Sequence, residues 1–196
     1  ATPEPMDFSA VVLAGGESCR MGRDKAWLHV NGQPLIVRAL AELRCLNLEQ
    51  IFVSGRADWD IGVLDHPVLL DSRPGCGPVA GIERALLAIR STHLLVLAVD
   101  LPFMSAEFLR KLVLRCDTLT GVVPAIRGKL EPLAAIYPRR CHAIASACLA
   151  CGRRSARAFA AACYRQRLVR RYPVAAADIA CFRNWNTPDD TLCRRL

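Results

Sequence analysis

The sequence predicts an α/β fold: a mainly parallel sheet with helices on both faces. Three observations carry this. Short, apolar runs rich in Val, Leu and Ile recur at residues 10–14, 51–53 and 93–99; each is too short for a full helix and apolar at consecutive positions, as a strand buried on both faces requires. Segments with helical spacing lie between them, so strand and helix alternate. The runs then break at Gly15, Ser54, Asp71 and Asp100, at the carboxyl ends of strands, where open α/β sheets place their ligands. That coincidence argues for one shared site.

In chain order, residues 10–14 form the first strand and Gly15-Gly16 the turn that ends it. Leu35, Ile36, Ala39, Leu40, Leu43 and Leu46 give a helix over 34–46, with Pro34 in a tolerated first-turn position. Residues 51–53 and 68–70 are the next strands, the second closed by Asp71. Arg73 to Pro78 is a loop by composition, and Pro78 opens a helix over 79–89 whose first residues include Ala80 and Gly81, small enough for close approach. The run 93–99 is a central strand ending in Asp100-Leu101-Pro102, and Ser105 caps a helix reaching about residue 115. The alternation then changes. Residues 122–126 and 130–137 read as two strands around Arg127-Gly128, residues 138–151 and 155–165 as helices, and 168–174 as a late strand. Thr187, Pro188, Asp189 and Asp190 make a helix start.

The chain has 196 residues, 53% of them hydrophobic and 22% charged, which suits one domain spanning 1–196 with a full core. No apolar run approaches the ~20 residues of a membrane helix, and the first residues lack a cationic, apolar leader, so a cytoplasmic location is expected. The ten cysteines are then expected to be reduced, small and inert. Cys148-x-x-Cys151, with Cys141-His142 nearby, leaves a metal site as the alternative. Net charge is +8 and uneven: residues 1–138 hold 14 Lys and Arg against 15 Asp and Glu, residues 139–196 hold 12 against 3. An anionic partner for the last third is one reading, whether nucleic acid or a phosphorylated small molecule; a solvated basic surface is the other.

The chemistry centres on residues 11–28. A buried strand runs into Gly15-Gly16, where backbone amides can cradle an anion, and Arg20 and Lys25 follow. A strand, a glycine turn and two spaced cations are what a nucleoside triphosphate requires; a tight turn with solvated cations is the bland alternative. No Gly-Lys-Ser/Thr closes the stretch, so it is not a P-loop, and Gly-x-Gly-x-x-Gly is absent. Asp100, at a strand end before a proline turn, is either a cap or a magnesium ligand, since magnesium needs only one or two carboxylates plus substrate phosphates.

Leu13-Ala14-Gly15-Gly16 with Arg20-Met21-Gly22 and Asp24-Lys25 resembles the signature of the molybdenum cofactor guanylyltransferases. The resemblance covers nearly the whole chain and implies a three-layer, Rossmann-like fold of the glycosyltransferase-A type, with a nucleotide half at about 8–116 and an acceptor half at about 117–196. It implies transfer of GMP from GTP to the terminal phosphate of molybdenum-molybdopterin, with Mg²⁺ on Asp100. Leu13, Ala14, Gly15, Gly16, Lys25, Ser54, Asp71 and Asp100 would bind the nucleotide, and Arg20, Lys25 and Asp100 would carry catalysis. Ser54 stands where the family often has Asn, which shortens the reach at that position. Glu131-Pro132-Leu133 to Tyr137 resembles the acceptor-side segment and Asn184-Trp185-Asn186-Thr187-Pro188 the C-terminal motif. Neither nucleic acid nor membrane is an expected partner; contact with cofactor-biosynthesis proteins or acceptor molybdoenzymes is. The rival within the superfamily is a CTP-dependent cytidylyltransferase acting on molybdopterin or a sugar or alcohol phosphate, whose branch tends to read Ala-Ala-Gly where this chain has Ala14-Gly15-Gly16. The rival outside it is a non-catalytic nucleotide-sensing or nucleic-acid-binding protein. For the pterin phosphate, Arg153 and Arg154 are the best candidates, and at most one of Arg170 and Arg171, which point to opposite faces of a strand.

Overall fold

The computed structural model describes residues 6–15, 25–55, 65–70 and 75–185. Its elements, in order, are β1 (Phe8–Leu13), β2 (His29–Val30), β3 (Gln33–Pro34), α1 (Leu35–Arg44), β4 (Ile51–Gly55), β5 (Val68–Leu70), α2 (Pro78–Ala88), β6 (His93–Ala98), α3 (Ala106–Val113), β7 (Gly121–Ile126), β8 (Lys129–Leu130), β9 (Ala134–Pro138), α4 (His142–Ala150), α5 (Ala156–Arg165) and β10 (Val169–Pro173). The main sheet has the order β10-β7-β9-β6-β1-β4-β5, with β8 paired to β7. All its neighbours along this order are parallel except at β9, which runs antiparallel to both β6 and β7.

The two faces of the sheet sort the helices. Along β1, Ala10 and Val12 join a buried cluster with Leu35, Leu43, Phe108 and Leu112 of α1 and α3. Val11 and Leu13 join the opposite cluster with Ile82 and Leu86 of α2, Ile144 of α4 and Phe159 of α5. Alternation along a strand requires this division, and each large apolar side chain so buried contributes roughly 1.5–3 kcal/mol. Caps fall where expected: the Ser105 and Ser155 hydroxyls accept from the Phe108 and Ala158 amides.

Three differences from the sequence reading have local causes. The strand expected over 130–137 is two strands, because Pro132 has no amide to donate and the chain turns there; the Tyr137 hydroxyl, wholly buried, closes the turn by donating to the Pro132 carbonyl at 2.9 Å. A β2–β3 hairpin precedes α1, turned by Asn31 and Gly32 at φ +53° and +79°, the pair of left-handed residues that a type I′ turn demands. Pro34 ends that hairpin and sits just outside α1 rather than in its first turn. The helix expected from Thr187 lies outside the described residues. Among the described residues, no helix is long and apolar enough to cross a membrane, and Cys45, Cys76, Cys116, Cys141, Cys148, Cys151, Cys163 and Cys181 are all free thiols.

Candidate active site

The carboxyl ends of β1, β4 and β6 meet at one edge of the sheet. There the Ser54 carbonyl accepts from both the Ala14 and the Gly15 amides at 3.0 Å, and the Leu13 carbonyl accepts from the Val99 amide at 3.1 Å. The sheet ladder therefore extends past the strand ends and fixes the base of the glycine turn. It also corrects one expectation. The amides of Ala14 and Gly15 are engaged with Ser54 rather than left unpaired for an anion; Gly16 lies outside the described residues. Arg20 and Asp71 lie outside them too.

Ser54 differs from its expected role in a second way. Its residue is only 2% exposed, and its side chain is packed against α2: a Cβ added to Gly81 would come within 2.6 Å of Ser54 Oγ. Glycine at 81 is what lets α2 lie this close to β4. The hydroxyl presents almost no surface to a ligand; the contribution visible here is the Ser54 carbonyl.

Lys25 and Asp100 lie together. Lys25 opens a single 3-10 turn, Lys25–Trp27, and its Nζ lies 3.2 Å from Asp100 Oδ2, with side chains 17% and 28% exposed. Asp100 is fixed from behind, its carbonyl accepting from the Trp185 amide at 3.0 Å. Trp185 is itself buried and stands edge-on to Phe103. Among the described residues no three His, Cys, Asp or Glu converge on a common point, and the Cys148-x-x-Cys151 pair is split between a buried and an exposed thiol.

Next to Asp100 opens a pocket of about 270 Å³, lined among others by Leu101, Glu131, Leu133, Ser155, Arg157 and Asn184. It gathers the segment expected on the acceptor side, at 131–133, and the start of the C-terminal motif, at 184, beside the N-terminus of α5. Burial pushes the Glu131 carboxyl upward, with Arg157 pulling the other way. The Arg157 guanidinium lies 3.7 Å from Glu131 and its Nε donates to the Leu130 carbonyl at 3.3 Å. Arg157 was not among the expected residues. Its signal was present: an Arg two residues after the N-cap Ser155 must stand in the first turn of the helix, at the sheet edge that holds the ligands.

The four arginines weighed for the pterin phosphate separate. Arg153 is exposed in the α4–α5 turn. Arg154 donates from Nη1 to the Gly75 carbonyl at 2.9 Å, tying that turn to the loop before α2. Gly77, at φ +69°, permits the approach, since an added Cβ would lie 3.3 Å from the Arg154 carbonyl oxygen. Arg170 and Arg171 do not belong to this site. Arg170 is level with Val122, then Ile136, then Leu95, which sets it three strands and five residues from Asp100, about 14 Å across the sheet and about 17 Å along it.

Comparison with known proteins agrees with this geometry. The MobA-like NTP transferase domain matches residues 10–184. A probable molybdenum cofactor guanylyltransferase of Opitutus terrae is 38% identical over 186 residues, covering 93% of this chain and 92% of that protein. The crystal structure of molybdopterin-guanine dinucleotide biosynthesis protein A from Archaeoglobus fulgidus superposes with a TM-score of 0.74 at 25% identity, covering 94% and 95% of the two chains. A nucleotidyl transferase from Methanothermobacter thermautotroptrophicus shares the fold, with a TM-score of 0.75 at 20% identity and 95% of both chains covered. On the span of the match, the level of identity and the shared architecture, the chain belongs to the MobA-like NTP transferase family.

Proposed function

We propose that this protein transfers GMP from GTP to the terminal phosphate of molybdenum-molybdopterin, forming the guanine dinucleotide cofactor and releasing pyrophosphate. The observation that carries the reading is the Lys25–Asp100 pair at 3.2 Å, between the glycine turn of β1 and the pocket lined by Glu131 and Arg157. A nucleotide held on the β1 and β4 side would have its α-phosphorus near Asp100, with the acceptor phosphate entering from the pocket. The bond formed is acceptor oxygen to α-phosphorus; the bond broken is α-phosphorus to the bridging oxygen of pyrophosphate. A phosphate monoester is already ionised, so positioning and charge neutralisation supply most of the catalysis.

Nucleotidyltransferases generally use a divalent metal, and the residues present fit Mg²⁺. Asp100 offers a hard carboxylate oxygen, partly exposed and backed by a fixed turn, and one such ligand beside substrate phosphates is enough. Asp100 would hold the ion, which when bound would neutralise charge on the phosphates. The Lys25 ammonium, beside Asp100, would offset charge on the same phosphates. Arg20 would add a second cation, while Leu13, Ala14, Gly15, Gly16, Ser54 and Asp71 would shape the nucleotide's seat, Ser54 through its carbonyl. On the acceptor side, Arg157, Arg153 and the remaining donors of Arg154 surround the N-terminus of α5, where the helix dipole also favours an anion.

The test is pyrophosphate release from each of the four NTPs, with and without molybdopterin. Release from GTP that depends on molybdopterin is expected. Release from CTP in place of GTP would reassign the base, and release from none would remove the enzymatic reading.

A further inference from the structure

The end of the sheet away from Asp100 holds a second concavity. A groove of about 670 Å³ lies at the start of β10, lined among others by Thr120, Tyr164, Arg165, Arg167, Arg170 and Arg171. All twelve basic residues after residue 138 are arginine and none is lysine, and four of them line this groove. The guanidinium fork matches carboxylates two oxygens at a time. The groove already contains one guanidinium–carboxylate contact, Arg170 Nη2 with Asp117 Oδ2. Arg165 and Arg167 are exposed and have no ion-pair partner among the described residues.

Among the described residues, β10 is also the last strand of the sheet. The Leu168 carbonyl accepts from the Gly121 amide and the Val174 amide donates to the Ala125 carbonyl. Even-numbered residues therefore face β7, and Val169 and Arg171 turn both their N–H and C=O groups outward. Pro173, next on the outer side, has no N–H and ends the usable edge. A second copy of this edge is a poor partner, because Arg170 and Arg171 would meet their own like. Nucleic acid is a poor one too. Tyr164 is the groove's single aromatic, and the Arg171 guanidinium covers one face of its ring at 4.2 Å, so the row of aromatic platforms on which successive bases stack is missing. An extended polypeptide with acidic side chains satisfies both features, pairing with the main chain of Val169 and Arg171 and placing carboxylates on the arginines.

We propose that this groove docks an acidic segment of a partner protein as an added strand on β10. The site lies at the far end of the sheet from Asp100, so a partner can be held there while both substrates come and go. The proposal does not depend on which nucleotide is transferred.

The experiment uses the full chain and three fluorescent probes in anisotropy titrations: a peptide alternating Glu and Thr, the same peptide N-methylated at alternate amides, and a single-stranded oligonucleotide of equal charge. Arg165→Glu/Arg171→Glu is compared with the parent, with melting temperature and nucleotidyl transfer as controls. The acidic peptide should bind the parent, lose at least roughly tenfold in affinity in the variant as charge-assisted contacts become repulsive, and bind poorly when N-methylated. Both controls should be unchanged. Equal binding of the N-methylated peptide, tighter binding of the oligonucleotide, an undiminished affinity in the variant, or no binding of the acidic peptide would each overturn the proposal.

Discussion

At the residue scale, the site turns on a carboxylate held between a lysine and a backbone turn. Asp100→Asn keeps the shape and removes the charge, so turnover should fall by roughly 10²–10³, the size of losing one electrostatic stabiliser, while the melting temperature changes little. Near-normal turnover would take Asp100 out of the reaction. A second residue, at the opposite end of the sheet, sets a pH dependence. His93 is fully buried beside Phe8. Its Nδ1 meets the Thr92 hydroxyl at 3.0 Å, while Nε2 has no partner in hydrogen-bonding geometry. Burial holds the imidazole below its usual range, with the Thr120 backbone, then Asp117 and Asp7, acting the other way. The unfolded chain takes up a proton below about pH 6.5 and the native chain only at lower pH. The stability due to neutral His93 is thus complete above that pH and is lost as pH falls beneath it. Thermal melts across pH 5–8 should show this decline, with a shallower slope in His93→Gln. A residual slope is expected from His66, which burial and Arg44 also hold down. An identical slope in the variant would refute the assignment.

At the scale of elements, two glycines fix how closely strands and helices approach. At Gly81 the atoms an added Cβ would strike belong to the side chains of Ser54 and Leu13, at 2.6 and 2.9 Å, which can shift. At Gly121 the obstacle is backbone, the Ile136 carbonyl oxygen at 2.1 Å, where β9 presses onto β7. Gly81→Ala should cost about 1–3 kcal/mol in urea unfolding, and Gly121→Ala clearly more, to the point of blocking folding. Equal, small losses would contradict this account. The elements also show what the sequence could and could not reveal. β1, β4 and β6 were legible because strands buried on both faces are apolar throughout, and α3 and α5 because a serine marks each start. The direction of β9 was not legible, since a strand's orientation is set by neighbours distant in sequence. The β2–β3 hairpin left its signal in Asn31-Gly32, but two-residue strands give no periodicity to support it. In the site, Asp100 could be placed from its strand end, but its pairing with Lys25 could not be anticipated, because Lys25 sits in a short turn far from it in sequence. The burial of Ser54 could not either, because it depends on how near Gly81 brings α2.

At the scale of the whole molecule, the nucleotide and acceptor halves cannot be separated. β9 belongs to the second half, and it is what joins β6 to β7. A fragment ending at residue 116 would leave β6, six buried residues long, as an uncovered apolar edge, the kind of strand that aggregates. Expressed alone, that fragment should be insoluble, and a soluble, cooperatively melting fragment would show the halves to be independent. The late position of β9 in the chain also governs when β6 can be covered during synthesis. β6 is complete at Ala98 and its covering strand at Pro138. A ribosome adding roughly 5–20 residues per second needs about 2–8 s to make that stretch. For those seconds the centre of the future sheet waits with one flank bare, and that nascent interval is when the protein is most open to a chaperone and most exposed to its neighbours.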